Sequence, residues 1–191
     1  MSENGQLPPE ELAPIAQGQL RKDAAAAWNA MNVEARVSGL QLIPTGSMSS
    51  YRTLEQQKIL WGRYQAGTGS LAAVPGTSNH GWGIAVDCAT FDMRRMVDRI
   101  GEKYGWAKKW SDAPSEWWHI RWAPGHYHGP DPGPYGVAPA PPHETVALAV
   151  ARMPTGGQEL FAEIASGEIL HSWQAEDVGW VSWQSLGVPG N

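Results

Sequence analysis

The sequence predicts an α+β fold: a small antiparallel sheet flanked by helices, followed by a separate all-β segment of about four short strands. Three observations carry this. Apolar residues recur at helical spacing around residues 19–37, 54–64 and 92–104. Short β-prone runs stand between or after them, at 40–44, 84–86 and 118–122. Beyond residue 144 the helical period disappears, and short strand-like runs alternate with glycine-bearing turns.

Composition bounds the functions open to such a fold. A chain of 191 residues has room for one domain and a small annex. Only 17% of residues are charged, while 22 Gly and 15 Pro mark a loop-rich protein. The formal charge of −5 gives no general attraction to nucleic acid or to an anionic membrane, so neither is expected as a partner. Cys88 is the sole cysteine, which excludes an intramolecular disulfide. It follows Asp87, points to the opposite face of a strand, and reads as a small core residue. Residues 1–11 lack a charged region followed by an apolar core, so no Sec-type signal is expected. No window approaches the ~20 apolar residues that span a bilayer. Four segments are expected: an extension at 1–18, a site-bearing domain at 19–128, a Pro/Gly-rich linker at 129–143 and a β module at 144–191.

Each element has a local reason. Residues 10–37 are Ala-rich, with Leu20, Ala24, Trp28 and Met31 at helical spacing; Pro14 and Gly18 delay the helix to about Gln19. Gly39 ends it, and residues 40–44 alternate as a short strand. Thr53 with Gln56 three residues on forms a capping box for the second helix, stopped by Gly67 and Gly69. Residues 67–77 form a loop. Met93, Met96, Val97, Ile100 and Tyr104 line one side of a third helix, closed by Gly105. Residues 118–122 alternate, setting Trp118, Ile120 and Trp122 on a core face and His119 and Arg121 on the other. His126 and His128, in a Gly/Pro loop, read as solvated. In the tail, strands are expected at 145–151, 158–165, 169–174 and 180–184, with turns at 155–157, 166–167 and 177–179.

The chemistry concentrates in two motifs. In S-N-H-G-W-G-I-A-V-D, residues 78–87, a histidine and an aspartate flank a β-prone run. Residues seven apart on a strand face opposite sides, so His80 and Asp87 meet only if the chain bends. Gly81 and Gly83 permit that bend through positive φ. In P-S-E-W-W-H-I-R-W, His119 opens a strand and Glu116 lies in the turn before it. His80, Asp87 and His119 make three ligands with a fourth position left for water, and Glu116 is a carboxylate beside it. That is the donor set of a hydrolytic zinc site. Arg52 stands at a helix N-terminus, where a cation suits an anion and not helix stability.

In these motifs the chain resembles the D-alanyl-D-alanine carboxypeptidase family of zinc peptidases, which includes vancomycin-resistance peptidases and many phage endolysins. The family pattern is S-x-H-x₆-D, then E-x-x-H, with Y-R-S/T upstream and a glutamine five residues after the arginine. Here those blocks are Ser78, His80 and Asp87; Glu116 and His119; and Tyr51-Arg52-Thr53 with Gln57. The resemblance covers residues 24–122. It implies zinc held by His80, Asp87 and His119, Glu116 as catalytic base, and Arg52 contacting substrate or oxyanion. The implied activity is cleavage of peptidoglycan stem peptides, by a carboxypeptidase or an L-Ala-D-Glu endopeptidase. It further implies an endolysin, cytoplasmic until released to the wall through holes made by another protein. Four residues keep more than one role open. Gln57 supports Arg52, touches substrate or is a solvated helix glutamine; Ser78 bonds substrate, orients His80 or caps a turn; Trp82 and Trp117 line a peptide groove or pack on the domain.

The tail, E-L-F-A…G-E-I-L-H-S-W-Q…G-W-V-S-W-Q-S-L-G, resembles one repeat of a PLL-like or tachylectin-like β-propeller. That implies wall-glycan binding through residues 144–191, with Trp173, Trp180 and Trp183 either stacking on sugars or forming blade core. One repeat cannot close a propeller, so self-assembly through the module is a further expectation. Two competing readings remain: a non-catalytic wall-binding protein with a relic zinc domain, and a two-His-one-carboxylate iron oxygenase.

Overall fold

A computed structural model describes residues 2–134, 145–152, 157–175, 179–181 and 183–189. The chain divides into two compact units, residues 1–134 and 135–191. The first is mixed α and β. It opens with a hairpin, β1 (Leu12–Ile15) and β2 (Gly18–Arg21), followed by helix α1 (Lys22–Val37). Residues 12–21 thus pair as strands, and the helix starts after its expected position. Pro14 lacks the amide a helix interior needs, and Ile15 and Leu20 reach the core from the hairpin.

Helix α1 buries Ala24, Ala27, Trp28, Met31 and Ala35 along one side. Trp28 meets Trp106 edge-on at 5.1 Å, joining the helix to the sheet. The expected strand at 40–44 does not form; only Pro44 bridges to Cys88. The physical reason is Asn32, whose side-chain amide takes both backbone groups of Leu42, at 2.8 and 3.0 Å. A side chain there satisfies what a neighbouring strand would.

Helix α2 (Leu54–Gln65) carries the Thr53–Gln56 capping box. Strand β3 (Ala85–Asp87) leads to α3 (Phe91–Ile100), capped by Thr90 and burying Met93, Met96 and Val97. The third helix stops at Ile100, and Gly101–Tyr104 continue as a 3₁₀ turn. Here the chain runs tight against its neighbour: a Cβ on Gly101 would stand 2.2 Å from the carbonyl oxygen of Trp106. Strands β4 (Trp106–Ala107) and β5 (His119–Trp122) complete an antiparallel sheet in the order β3-β5-β4. Trp118 precedes β5, so the alternation begins one residue later than expected. Cys88 is buried in this core, and burial pushes its thiol up to about 12, an inert group.

The second unit is an antiparallel sheet in the order β10-β8-β7-β6, with β9 also on β8. Its strands are β6 (Thr145–Arg152), β7 (Gln158–Ile164), β8 (Ile169–Ala175), β9 (Gly179–Trp180) and β10 (Gln184–Gly187). The expected strand at 180–184 is two short strands. Most of the expected linker (135–143) and parts of the turns at 155–156 and 177–178 lie outside the described residues. Among the described residues, no helix is long and apolar enough to cross a membrane.

Candidate active site

Asp87 and His119 are register partners across β3 and β5. Directly opposed residues on an antiparallel pair project to the same face, so the sheet itself brings this carboxylate and imidazole together. His80 arrives by a different route. Asn79–Trp82 form one 3₁₀ turn, capped by Ser78, whose hydroxyl accepts from the His80 amide at 3.2 Å. The two glycines serve different ends. Gly83 closes the turn at φ 64°, whereas Gly81 has no room: a Cβ there would stand 1.9 Å from Asn4 Oδ1. Gly81 is therefore required for close approach, not for positive φ.

Three donor atoms converge. His80 Nε2 lies 3.2 Å from His119 Nδ1 and 3.3 Å from Asp87 Oδ1, and His119 Nδ1 lies 2.9 Å from that same oxygen. A tetrahedral ion about 2.0–2.1 Å from each ligand holds those ligands about 3.3 Å apart. The triangle therefore has the dimensions of a metal cradle, and these three residues are the group able to hold an ion among the described residues. Protonation agrees. The Ser50 carbonyl, 2.8 Å from His80 Nδ1, can only accept, so the proton sits on Nδ1 and the Nε2 lone pair faces the cradle. Burial lowers the pKa of His80, favouring neutral imidazole. Burial alone would raise Asp87, but His80 and His119 beside it hold its carboxyl well below the usual range. On His119 the outer nitrogen, Nε2, is buried without a hydrogen-bond partner, and Asp112 Oδ1 stands 3.3 Å away.

Arg52 sits just before the α2 cap. Its Nε donates to the Met48 carbonyl at 2.9 Å, and Nη2 lies 3.7 Å from Asp87 Oδ2. Burial lowers its pKa, while Asp87 and Glu116 act to raise it. Glu116 is half-buried on the irregular stretch before β5, and burial raises its carboxyl pKa. That stretch is drawn together by Lys108, whose ammonium donates to the carbonyls of Ala113, Glu116 (2.6 Å) and His119 (3.2 Å). A cavity of about 700 Å³ receives the cradle, Arg52, Ser78 and Glu116 on its wall.

The remaining expected site residues lie elsewhere. Gln57 is buried off the cavity wall, bonded to Asn4, the Arg52 carbonyl and the Gly76 amide. Trp82 does not line the cavity. Nor does Trp117, which packs on Phe91 and Trp118 at 5.1 and 5.7 Å; Trp118 is the tryptophan on the wall. Sequence reasoning assigned Trp118 to the core because it began β5 one residue early. Lys108 was not singled out either, since its partners are carbonyls that no side-chain pattern announces.

The chain belongs to the D-alanyl-D-alanine carboxypeptidase family, VanY: the family model matches residues 17–125. Among solved structures the chain is similar to a vancomycin-resistance D,D-pentapeptidase VanY from a VanB-type resistance cassette, a mutant form in complex with Zn(II). Identity is 21%, the match covers 64% of this chain and 86% of that one, and the TM-score is 0.45. No curated protein matches the chain.

Proposed function

We propose that this chain is a zinc-dependent carboxypeptidase removing the terminal D-alanine from peptidoglycan stem peptides ending in D-Ala-D-Ala. The observation that carries the reading is the triangle of His80 Nε2, Asp87 Oδ1 and His119 Nδ1, open to a cavity that Glu116 and Arg52 also line. Those three atoms would hold the ion. Bound there, Zn²⁺ supplies a Lewis acid that acidifies water and polarises a carbonyl. Glu116 takes the proton of the attacking water, a role its raised pKa suits, and returns it to the leaving amine. Arg52 donates to the oxygen on which negative charge develops; its guanidinium is anchored by Met48 and needs no large reorganisation. Ser78 acts on the backbone of the His80 turn and so orients that ligand.

Mass spectrometry of defined pentapeptide muropeptides, digested with and without chelator, tests this. The expected product is the tetrapeptide plus one free D-alanine, lost on chelation. An endolysin role requires an internal cut instead. An L-Ala-D-Glu product, together with lysis of purified walls, would replace the carboxypeptidase reading with that one. Zinc binding with no cleavage of any wall peptide would sink both.

For residues 144–191 we propose a wall-glycan-binding module. Phe161, His171 and Trp173 stack in a row on adjacent strands, with ring centroids 6.2 and 4.7 Å apart, a surface suited to sugar rings. Val146, Leu148 and Val150 are exposed along the edge strand β6, which supports self-assembly through this sheet. Sedimentation of the full chain with walls, and its mass in solution, test the two.

A further inference from the structure

Residues 2–8 precede the stretch matched by the family model and are not a loose leader. Asn4 is 6% exposed and Leu7 7%. The Asn4 side chain donates to the Ser78 carbonyl at 2.7 Å and accepts from Gln57 Nε2 at 3.0 Å. Gln57 Nε2 also reaches the Arg52 carbonyl at 3.3 Å, and its Oε1 accepts from the Gly76 amide at 2.8 Å. Both amide orientations are dictated by backbone partners, since a carbonyl only accepts and a peptide N–H only donates. Next door, the Gly5 amide donates to Gly81 O at 2.8 Å, and its carbonyl accepts from Leu54 N at 2.9 Å. Tyr51 OH accepts from Leu7 N at 2.9 Å.

This strap therefore holds two pieces of the site at once. On one side it grips Ser78 and Gly81, which bracket the ligand His80. On the other it grips Leu54 and, through Gln57, the carbonyl of Arg52. The two pieces also touch each other through Arg52 N and His80 O at 3.1 Å. The fit is close: at Gly5, at φ 78°, a Cβ would meet Leu54 N at 2.5 Å, and at Gly81 it would meet Asn4 Oδ1.

We infer that Asn4 is a positioning residue for the metal cradle, clamping the His80 turn against the Arg52 segment through Ser78 and Gln57. It touches no reacting atom. Its effect reaches the site through the backbone on either side of His80, in the way that hydrogen-bonded outer partners fix a ligand's direction. The inference rests on the proposed zinc site. Its failure is separable from failure of that reading, because the wild-type chain is measured first.

The test compares wild type, Asn4→Ala and Asn4→Asp. Asn4→Asp keeps the shape and the acceptor toward Gln57 but loses the donor to Ser78. The readouts are the zinc dissociation constant by chelator competition, the visible absorption spectrum of the Co²⁺-loaded protein, and thermal stability of the apo-protein. The expected result is a dissociation constant raised about tenfold or more in both variants, since Asn4→Asp sets an acceptor oxygen against the Ser78 carbonyl, with an altered Co²⁺ spectrum in both. Lower stability with unchanged zinc affinity and Co²⁺ spectrum would overturn the inference, leaving Asn4 a packing residue. If one variant does not fold, the other alone decides on the same criteria. Wild type that takes up no zinc would instead remove the functional reading itself.

Discussion

His80 and Asp87 reach the cavity from regular, closed structure, whereas Glu116 reaches it from an irregular stretch. On the first side, a capped turn, an antiparallel register and a web of buried amides fix the ligands. On the second, residues 111–118 have no ladder partner for most of their length, and carbonyls along the stretch converge on a single ammonium, Lys108. The difference teaches that holding the ion and aiming the base rest on different kinds of support, with Lys108 the residue that serves both through the Glu116 and His119 carbonyls. Substitutions should therefore separate metal affinity from turnover.

The largest effect should come from the cradle itself. His119→Ala removes one of three donors and leaves Asp87 Oδ1 with His80 alone; metal content should fall below stoichiometric and activity to background, as read by metal analysis and D-alanine release. Full metal occupancy in that variant would show that the triangle is not the binding site. Glu116→Gln should keep the metal and lose about 10²–10⁴-fold in kcat, the usual worth of a positioned acid–base group. Equal loss of metal would mean the two sides are not independent.

Lys108→Met sharpens the contrast further. It strips three carbonyls of their donor, at about 1–3 kcal/mol for each one left buried and unsatisfied, so Tm should fall. Misplacing the base should cost about tenfold or more in kcat, with a smaller loss of zinc affinity through the His119 carbonyl. The pH profile gives a sign as well. Burial already raises the Glu116 pKa, and the charge of Lys108 works to lower it. A base acts deprotonated, so activity is lost as pH falls through that pKa. Removing the ammonium raises the pKa, and the acid limb of kcat/KM should move to higher pH. A limb that stays put or moves to lower pH would detach Glu116 from that ionisation.

Legibility in the sequence divides along similar lines. His80, Asp87, Glu116 and His119 were grouped by two short motifs, and the structure brings all four to one cavity. The Thr53–Gln56 cap and the buried side of α3 were legible because both depend on neighbours three or four residues apart. The hairpin at 12–21 is not: the alanine run that follows carries a helical period, which draws the expected helix start up to Gln19, inside the second strand. Residues 40–44 alternate as a strand would, yet their partner is the Asn32 side chain, which no periodicity reveals. Asn4 and Lys108 escaped notice for the same reason. Each works on backbone groups distant in sequence or hidden in a loop, and only the fold makes those groups neighbours.

A side-chain contact at the ring of His119 also crosses the division and offers a way to break it. His119 spends Nδ1 on the cradle, and its Nε2 is buried without a hydrogen-bonded partner. A buried N–H left unpaired costs about 1–3 kcal/mol. The nearest acceptor is Asp112 Oδ1 at 3.3 Å, on the same irregular stretch that carries Glu116. If that carboxylate takes the Nε2 proton, it strengthens His119 as a ligand, so the stretch that aims the base also tunes the ion. Asp112→Ala should then weaken zinc binding by about tenfold, the lower end for an outer partner of a metal-bound histidine, while kcat at saturating zinc changes little. Asp112→Asn, which keeps an acceptor but not the charge, should fall between. Zinc affinity identical to wild type in both would show that Asp112 does not act on the ion through His119.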